Sequence, residues 1–313
     1  MNYRIILIMI IAFSINFGIV AQNIKQEEVN NKIDTSILIT SYNIKSQLLK
    51  KGNIQTDFDI SFPRFYKFYN PKSDKTQKKL PVYVLNEAYF TGDITFGISD
   101  KYNFFISLPI VDIHHYNPII FQSGVGIGDM QLGMLYKPKK YFKKRKLGAY
   151  LFEGRLTIPT GEYSNLTKSD YPTGNGAFGL MLAINSTKKI KKLYRFKNID
   201  LIYSLYYDIR INAYGDHTGD ETGAYFIFQK PINTEYGNFG LESGIYAYYN
   251  FSDKKNDQII PNSGDYSFDI HIGAWYKYLD KYYIRFAIPY SIVQNNAFMT
   301  KYQVFLKLSY IFS

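Results

Sequence analysis

The chain has 313 residues, 46% of them apolar, with 31 Tyr and 24 Phe against a single Trp, so it can form one large domain or two small ones. Its mean hydropathy of −0.22 is too polar for a bundle of membrane helices. That value fits a soluble β protein, or a barrel with one wet face and one lipid face. With 0 Cys, the sequence excludes disulfides, a thiolate nucleophile, Cys-based metal sites and a lipidated N-terminal Cys.

The first 21 residues read as a secretory leader. Arg4 gives the positive start, Ile5 to Phe13 is an unbroken apolar run, and Val20-Ala21-Gln22 offers a small residue at the cleavage point. The alternative, a retained membrane anchor, suits the sequence less well, because the run is short and polar residues follow at once. Past Gln22 no stretch approaches the ~20 apolar residues that a membrane helix needs. Residues 22–52 are expected to be an N-terminal periplasmic segment, and 53–313 a single β domain. Removing the leader deletes Arg4 alone, which leaves 36 Lys+Arg against 26 Asp+Glu, a net +10.

From Asn53 onward the dominant signal is alternation with period two. In 53–62, Ile54, Phe58, Ile60 and Phe62 alternate with Gln55, Asp57, Asp59 and Ser61. In 84–98, Ala88, Phe90, Ile94, Phe96 and Ile98 alternate with Glu87, Tyr89, Thr91, Asp93 and Thr95. Strands are predicted next at 103–116, 125–137, 147–159 and 175–185, with Asp129, Glu153 and Arg155 on their polar faces. In 199–213, Leu201, Tyr203, Leu205, Tyr207, Ile209 and Ile211 alternate with Asp200, Ser204, Asp208, Arg210 and Asn212. After 222–231, the strand 237–251 sets Leu241, Ile245, Ala247, Tyr249 and Phe251 against Glu242, Gly244, Tyr246 and Asn250. In 265–278, Tyr266, Phe268, Ile270, Ile272, Ala274 and Tyr276 alternate with Ser267, Asp269, His271 and Lys277. In 281–294, Tyr282, Ile284, Phe286, Ile288, Tyr290 and Ile292 alternate with Arg285 and Ser291. The last strand, 300–312, puts Tyr302, Val304, Leu306, Leu308, Tyr310 and Phe312 opposite Gln303, Lys307 and Ser309, with Phe305 as the exception.

About twelve strands of such length exceed the ~5–6 residues usual in globular sheets and match the ~9–11 that cross a bilayer. Strands can span lipid only in a closed barrel, where every backbone group is paired. The predicted fold is therefore all-β: a transmembrane, antiparallel, up-and-down barrel. With the N-terminus in the periplasm, the external connections are 63–83, 117–124, 160–174, 214–221, 252–264 and 295–299. The internal ones are mostly tight, as at 99–102 and 279–280, the usual arrangement for outer-membrane barrels. Two internal turns, 138–146 and 186–198, are long and basic, and are read as solvated turns or as contacts to anionic headgroups or another acidic envelope component. Tyrosine favours the membrane–water interface, so Tyr302 with Tyr310, Tyr282 with Tyr290, and Tyr266 with Tyr276 are expected in two girdles.

The same alternation assigns Asp57, Asp59, Glu87, Asp93, Asp129, Glu153, Asp200, Asp208, Glu242 and Asp269 to the lumen, together with Arg155, Arg210, Arg285 and His271. These charges either pair into a plugging network or line a wet path. Eight-stranded barrels are filled by side chains and sixteen-stranded ones leave a channel. A twelve-stranded barrel is thus expected to hold a narrow, partly obstructed, cation-leaning pore.

Several short motifs add a resemblance. Ile94 to Tyr102 leads into Phe105-Ile106-Ser107-Leu108-Pro109; Gly126-Ile127-Gly128-Asp129, Leu156-Thr157-Ile158-Pro159-Thr160-Gly161 and Gly174-Asn175-Gly176-Ala177-Phe178-Gly179 follow in order. This third of the chain resembles the outer-membrane β-barrel family grouped as phenol-degradation meta-pathway proteins. The resemblance implies a transporter-like barrel for small aromatic or hydrophobic compounds, with no catalytic residues to carry over.

Catalytic signals are weak. Gly126-Ile127-Gly128 lacks the third glycine and the strand–turn–helix setting of a dinucleotide site. His114 and His115 point to opposite faces of one strand, and His217 lies in a hydrophilic loop. Ser267 and His271 share a face, but four residues of strand separate them by ~13 Å, too far for proton transfer. No cofactor, metal or catalytic residue is expected. The expected partners are outer-membrane lipid, a small-molecule solute and the barrel-assembly machinery, with no nucleic acid. The expected role is a passive channel in the cell outer membrane. A non-transporting structural or adhesion barrel and a lipid-acting membrane enzyme are the alternatives.

Overall fold

The computed structural model describes residues 48–70, 75–78, 84–116, 121–138, 149–162, 172–174, 176–193, 196–212, 216–217, 219–234, 237–252, 254–255, 258–259, 264–295 and 298–312. The leader 1–21, most of the segment 22–52 and the basic turn at 139–146 lie outside these residues.

Twelve long strands form the domain. They are β1 (Ile54–Asn70), β2 (Val84–Ser99), β3 (Tyr102–Tyr116), β4 in two segments (Phe121–Ile127 and Met130–Tyr136), β5 (Ala149–Ile158) and β6 (Ala177–Leu193). They continue as β7 (Phe196–Asn212), β8 (Glu221–Thr234), β9 (Gly237–Asn250), β10 (Asp265–Tyr278), β11 (Tyr282–Asn295) and β12 (Phe298–Phe312). Each strand pairs antiparallel with the next in sequence, and β12 returns to β1 over a register that runs from Ile54↔Phe312 to Phe62↔Val304. The sheet therefore closes on itself, as lipid requires.

The two faces differ as alternation dictates. Outward side chains are apolar and exposed, among them Ile272 at 65%, Leu182 at 57% and Leu205 at 51%. Inward side chains are buried and mixed, among them Asn103, Asp93, Arg210, Tyr246 and Phe105. Aromatic rings gather at the end of the wall that carries the tight turns 99–102 and 279–280: Tyr102 stacks on Tyr136 at 4.9 Å, and Tyr282 lies 4.8 Å from Tyr310. Of the residues expected in the girdles, Tyr266, Tyr276, Tyr282, Tyr290 and Tyr302 are exposed on the outer face.

Four features differ from the strands and connections read in sequence. β1 runs to Asn70, eight residues further than expected, and its end pairs with Lys75–Lys78. The turn expected at 186–198 is mostly strand: β6 and β7 stay paired from Ala177↔Asn212 to Leu193↔Phe196. Lysines on both faces hide the alternation there, because that part of the hairpin has no lipid-facing side. β4 is interrupted at Gly128-Asp129, and only its second segment pairs with β5, from Met130↔Ile158 to Tyr136↔Phe152. The connections expected at 214–221 and 252–264 also contain strand: Asp216–His217 pairs with Lys254–Lys255, which pairs with Gln258–Ile259.

Candidate functional site

Inward-facing polar residues on neighbouring strands meet in clusters at fixed registers, and these clusters form the wall of the interior. On one side Lys307 of β12 places Nζ 3.0 Å from Asp57 and 3.4 Å from Asp59 of β1. Beside it, Arg285 of β11 donates from Nε to Glu242 Oε1 at 2.8 Å, and Gln229 donates to Glu242 Oε2 at 2.9 Å. His271 Nε2 lies 3.6 Å from the same carboxylate. Phe305, the apolar exception on the polar face of the last strand, is buried under the Arg285 guanidinium at 5.4 Å, as a cation–π pair.

Across the barrel, Arg155 of β5 donates to Glu153 Oε1 at 3.1 Å and to Gln131 Oε1 at 3.0 Å, with its guanidinium 5.4 Å above the Phe105 ring. Asn185 donates to Glu153 at 2.8 Å, and Ser204 donates to Asn185 at 2.6 Å. Toward the end of the barrel opposite the tight turns, Arg210 binds Glu221 at 2.8 Å and Asp208 at 3.3 Å. The Tyr206 hydroxyl donates to Glu221 and lies 2.8 Å from that of Tyr246, whose ring stacks on Tyr225 at 4.2 Å with Tyr248 at 5.4 Å. Tyr89 donates to Glu87 at 2.6 Å.

The structure thus brings the sequence-predicted residues Asp57 and Asp59, Glu153 and Arg155, Asp208 and Arg210, and Glu242, His271 and Arg285 into contact within these clusters. Asp93 and Asp269 are buried on the same inner face, and Ser267 donates a hydrogen bond to Asp269. Asp200 sits across from Gln229 on β8. Asp129 lies in the break of β4, outside the clusters, and accepts the Gly161 N–H at 3.0 Å. Lys307, Glu221 and the inward tyrosines were not among the predicted lumen residues. The period-two pattern could have found Lys307, Tyr206 and Tyr246, which alternate in step with Ser309, Asp208 and Glu242 on their own strands, whereas Glu221 falls one residue outside the strand expected at 222–231. Tyrosine serves inside the barrel as well as at the girdles, with its hydroxyl satisfied by a carboxylate or a second phenol.

The motifs of the resembling region converge on the break in β4. Gly128 N–H donates to Pro109 O at 2.8 Å, and Thr160 Oγ1 donates to Gly128 O at 2.8 Å while accepting Met130 N–H at 2.9 Å. Thr173 Oγ1 donates to Ile127 O at 2.9 Å. Gly174 has no room for a side chain, since an added Cβ would lie 2.3 Å from Asp129 Oδ1. These bonds fill the wall where β5 stops at Ile158 and the first segment of β4 continues upward without it. Among the described residues, no three His, Asp or Glu side chains converge as metal ligands would.

A closed antiparallel sheet, apolar outside and ionised inside, defines a membrane-spanning β-barrel of the outer-membrane kind. The COG4313 outer membrane channel from Pseudomonas putida F1 is similar in fold, with a TM-score of 0.66 at 11% identity over 86% of this chain and 98% of that one. The β domain of the Bordetella autotransporter Brka gives a TM-score of 0.50 at 8% identity, over 83% of this chain and 99% of that one. No family model and no curated protein matches the sequence.

Proposed function

We propose that the chain resides in a bacterial outer membrane, inserted there by the barrel-assembly machinery, and acts as a narrow passive channel for a small solute. One observation carries this reading. Among the described residues, eight carboxylates and four Lys or Arg side chains are buried on the inner face. Burying an ion costs several kcal/mol even when it is paired, so a barrel needed only for shape would be better filled with apolar side chains. The excess of carboxylates favours cations over anions. The fold shared with the COG4313 channel points the same way. The resemblance to phenol-degradation meta-pathway barrels supports a small aromatic or hydrophobic solute, for which Tyr206, Tyr225, Tyr246 and Tyr248 offer ring faces.

A lipid-acting enzyme has less support. Ser267 and His271 are buried inside the wall, away from lipid, and Ser267 donates to Asp269. A structural barrel would leave the charged interior without a use.

The test is conductance in planar bilayers with purified, refolded protein. Low, cation-selective conductance is expected, and Tyr246→Ala, which removes a ring from the centre of the tyrosine cluster, raises it several-fold. Absence of any conductance in both proteins, with no uptake of small aromatics by loaded vesicles, overturns the channel reading.

A further inference from the structure

The inward faces of the strands are not covered equally. On β2 and β3 every inward residue from Glu87 to Gly97 and from Asn103 to Ile113 is buried. Asn103 stands one residue from the tight turn 99–102 and is still 0% exposed. The pattern on β7 and β8 is different. Ile202 and Gln229 are partly exposed toward the tight-turn end, and Asp208 and Gly223 are partly exposed further along. Between them only Ser204 with Tyr206, and Tyr225 with Ile227, are buried. From Gly223 to Gln229 the covered stretch spans ~20 Å, against ~33 Å from Asn103 to Ile113.

Local packing explains the difference. The carbonyl of Lys50 occupies the place where a side chain on Gly97 would stand, so the chain just ahead of β1 crosses the inner face of β2 and covers it. On the other side of the barrel, Trp275 of β10 lies directly opposite Gly240 of β9. A Cβ on Gly240 would lie 2.5 Å from two atoms of the indole, so the missing side chain lets the ring settle on β9 and leaves the space before β8 clear. Trp275, Lys277 and Tyr283 are all partly exposed there, and the indole stacks on Tyr283 at 6.1 Å.

The cover also differs in kind. Across the barrel it is ionic, with Lys307 between Asp57 and Asp59, and Arg155 on Glu153. Opening that wall would separate buried charges, which is costly. On β7 and β8 the cover is Ile227 and rings, where Tyr225 packs 5.9 Å from Tyr206 and 4.2 Å from Tyr246.

We infer that the passage through the barrel runs off its axis, along the β7–β8 wall, from Asp208 past Tyr206 and Tyr225 to Ile202, Gln229 and the vestibule beside Trp275. The inference rests on the channel reading above and adds the route that the solute takes.

Because the chain has 0 Cys, single introduced thiols report the route. Ile202→Cys stands in the vestibule. Thr157→Cys stands at the far end of the route, where Thr157 shares the space over Gly179 with Asp208. Thr95→Cys and Ser107→Cys stand on the covered wall of β2 and β3. Each variant is refolded in detergent micelles and treated with a small charged methanethiosulfonate, and its labelling rate is taken relative to the same thiol in the denatured chain. The first pair is expected to label at least about ten-fold faster than the second, since a buried thiol reacts only when the wall opens. In planar bilayers, labelling of Ile202→Cys lowers conductance several-fold, and the same treatment of Thr95→Cys leaves it unchanged. A gel shift on heating shows which variants are folded, and two positions on each wall keep the comparison if one is lost. Equal labelling of the two pairs overturns the inference. So does complete labelling of Ile202→Cys in a conducting barrel whose conductance stays the same. A wild type without conductance is a different failure: it removes the channel reading, and this route with it, whatever the labelling.

Discussion

Arg285 and Glu242 show what a single interior residue must do. Both are buried, their ions meet at 2.8 Å, and Gln229 and His271 complete the shell around the carboxylate. Such a pair adds little net stability over apolar residues, yet half of it is costly because one charge is left in the wall without its counter-ion. Arg285→Leu alone is expected to destabilise the barrel by about 3–5 kcal/mol, and the double variant with Glu242→Leu recovers most of that loss. Urea titration of protein folded into lipid vesicles measures both, and a single variant as stable as wild type would contradict the pairing. Lys307 bridges two carboxylates and is equally exacting. The acid residues of these clusters were legible in the sequence because each interrupts an apolar alternation. Which cation each would meet was not, since partners such as Asp59 and Lys307 are 248 residues apart and only the closure of the sheet brings them together.

At the scale of the strand and its turn, the hairpin β10–β11 carries a local defect that can be relieved. Lys281 N–H donates to Tyr278 O at 3.1 Å, and the central residues Leu279 and Asp280 have φ of 49° and 55°. Positive φ at both positions matches the right-handed twist of the strands, and Asn and Gly usually fill them. Leucine in this region costs roughly 1–2 kcal/mol, and Leu279 is 66% exposed, so its side chain offers little packing in return. Leu279→Gly is therefore expected to stabilise the barrel by about 1 kcal/mol, seen as a higher urea midpoint. The Lys277 ammonium beside Asp280 holds that carboxyl below its usual range, and this exposed pair is left in place by the substitution. Strand existence was readable wherever one face met lipid, which is why Asp265–Tyr278 matched its expected span to the residue. Reading failed where both faces are wet, as in Lys188–Leu193, and where a strand is interrupted and held by hydrogen bonds from distant segments, as Thr160 does at Gly128 and Thr173 at Ile127.

The molecule as a whole depends on one pairing that no local pattern specifies, the seam between its first and last strands. Twelve amphipathic strands in sequence order would satisfy the same alternation as an open sheet, with two edges presenting unpaired N–H and C=O groups to lipid. Closure instead sets Phe62 opposite Val304, both on the outer face. Directly opposed residues in an antiparallel pair have Cβ atoms ~4.5–5.5 Å apart, which small backbone shifts bring within reach of a disulfide. Because the chain has 0 Cys, introduced thiols have no competing partners. The double variant Phe62→Cys, Val304→Cys is expected to form an intramolecular cross-link on mild oxidation of the folded protein. The bond joins residues near the two ends of the domain, so the boiled, denatured species becomes a loop and runs faster on gels than its reduced form. A one-residue slip, Phe62→Cys with Phe305→Cys, points the second thiol inward and is expected to cross-link poorly, because side chains in a strand alternate between faces. Equal cross-linking by both variants, or by neither, would mean that β1 and β12 do not meet in this register and that the interior assembled from them is wrong.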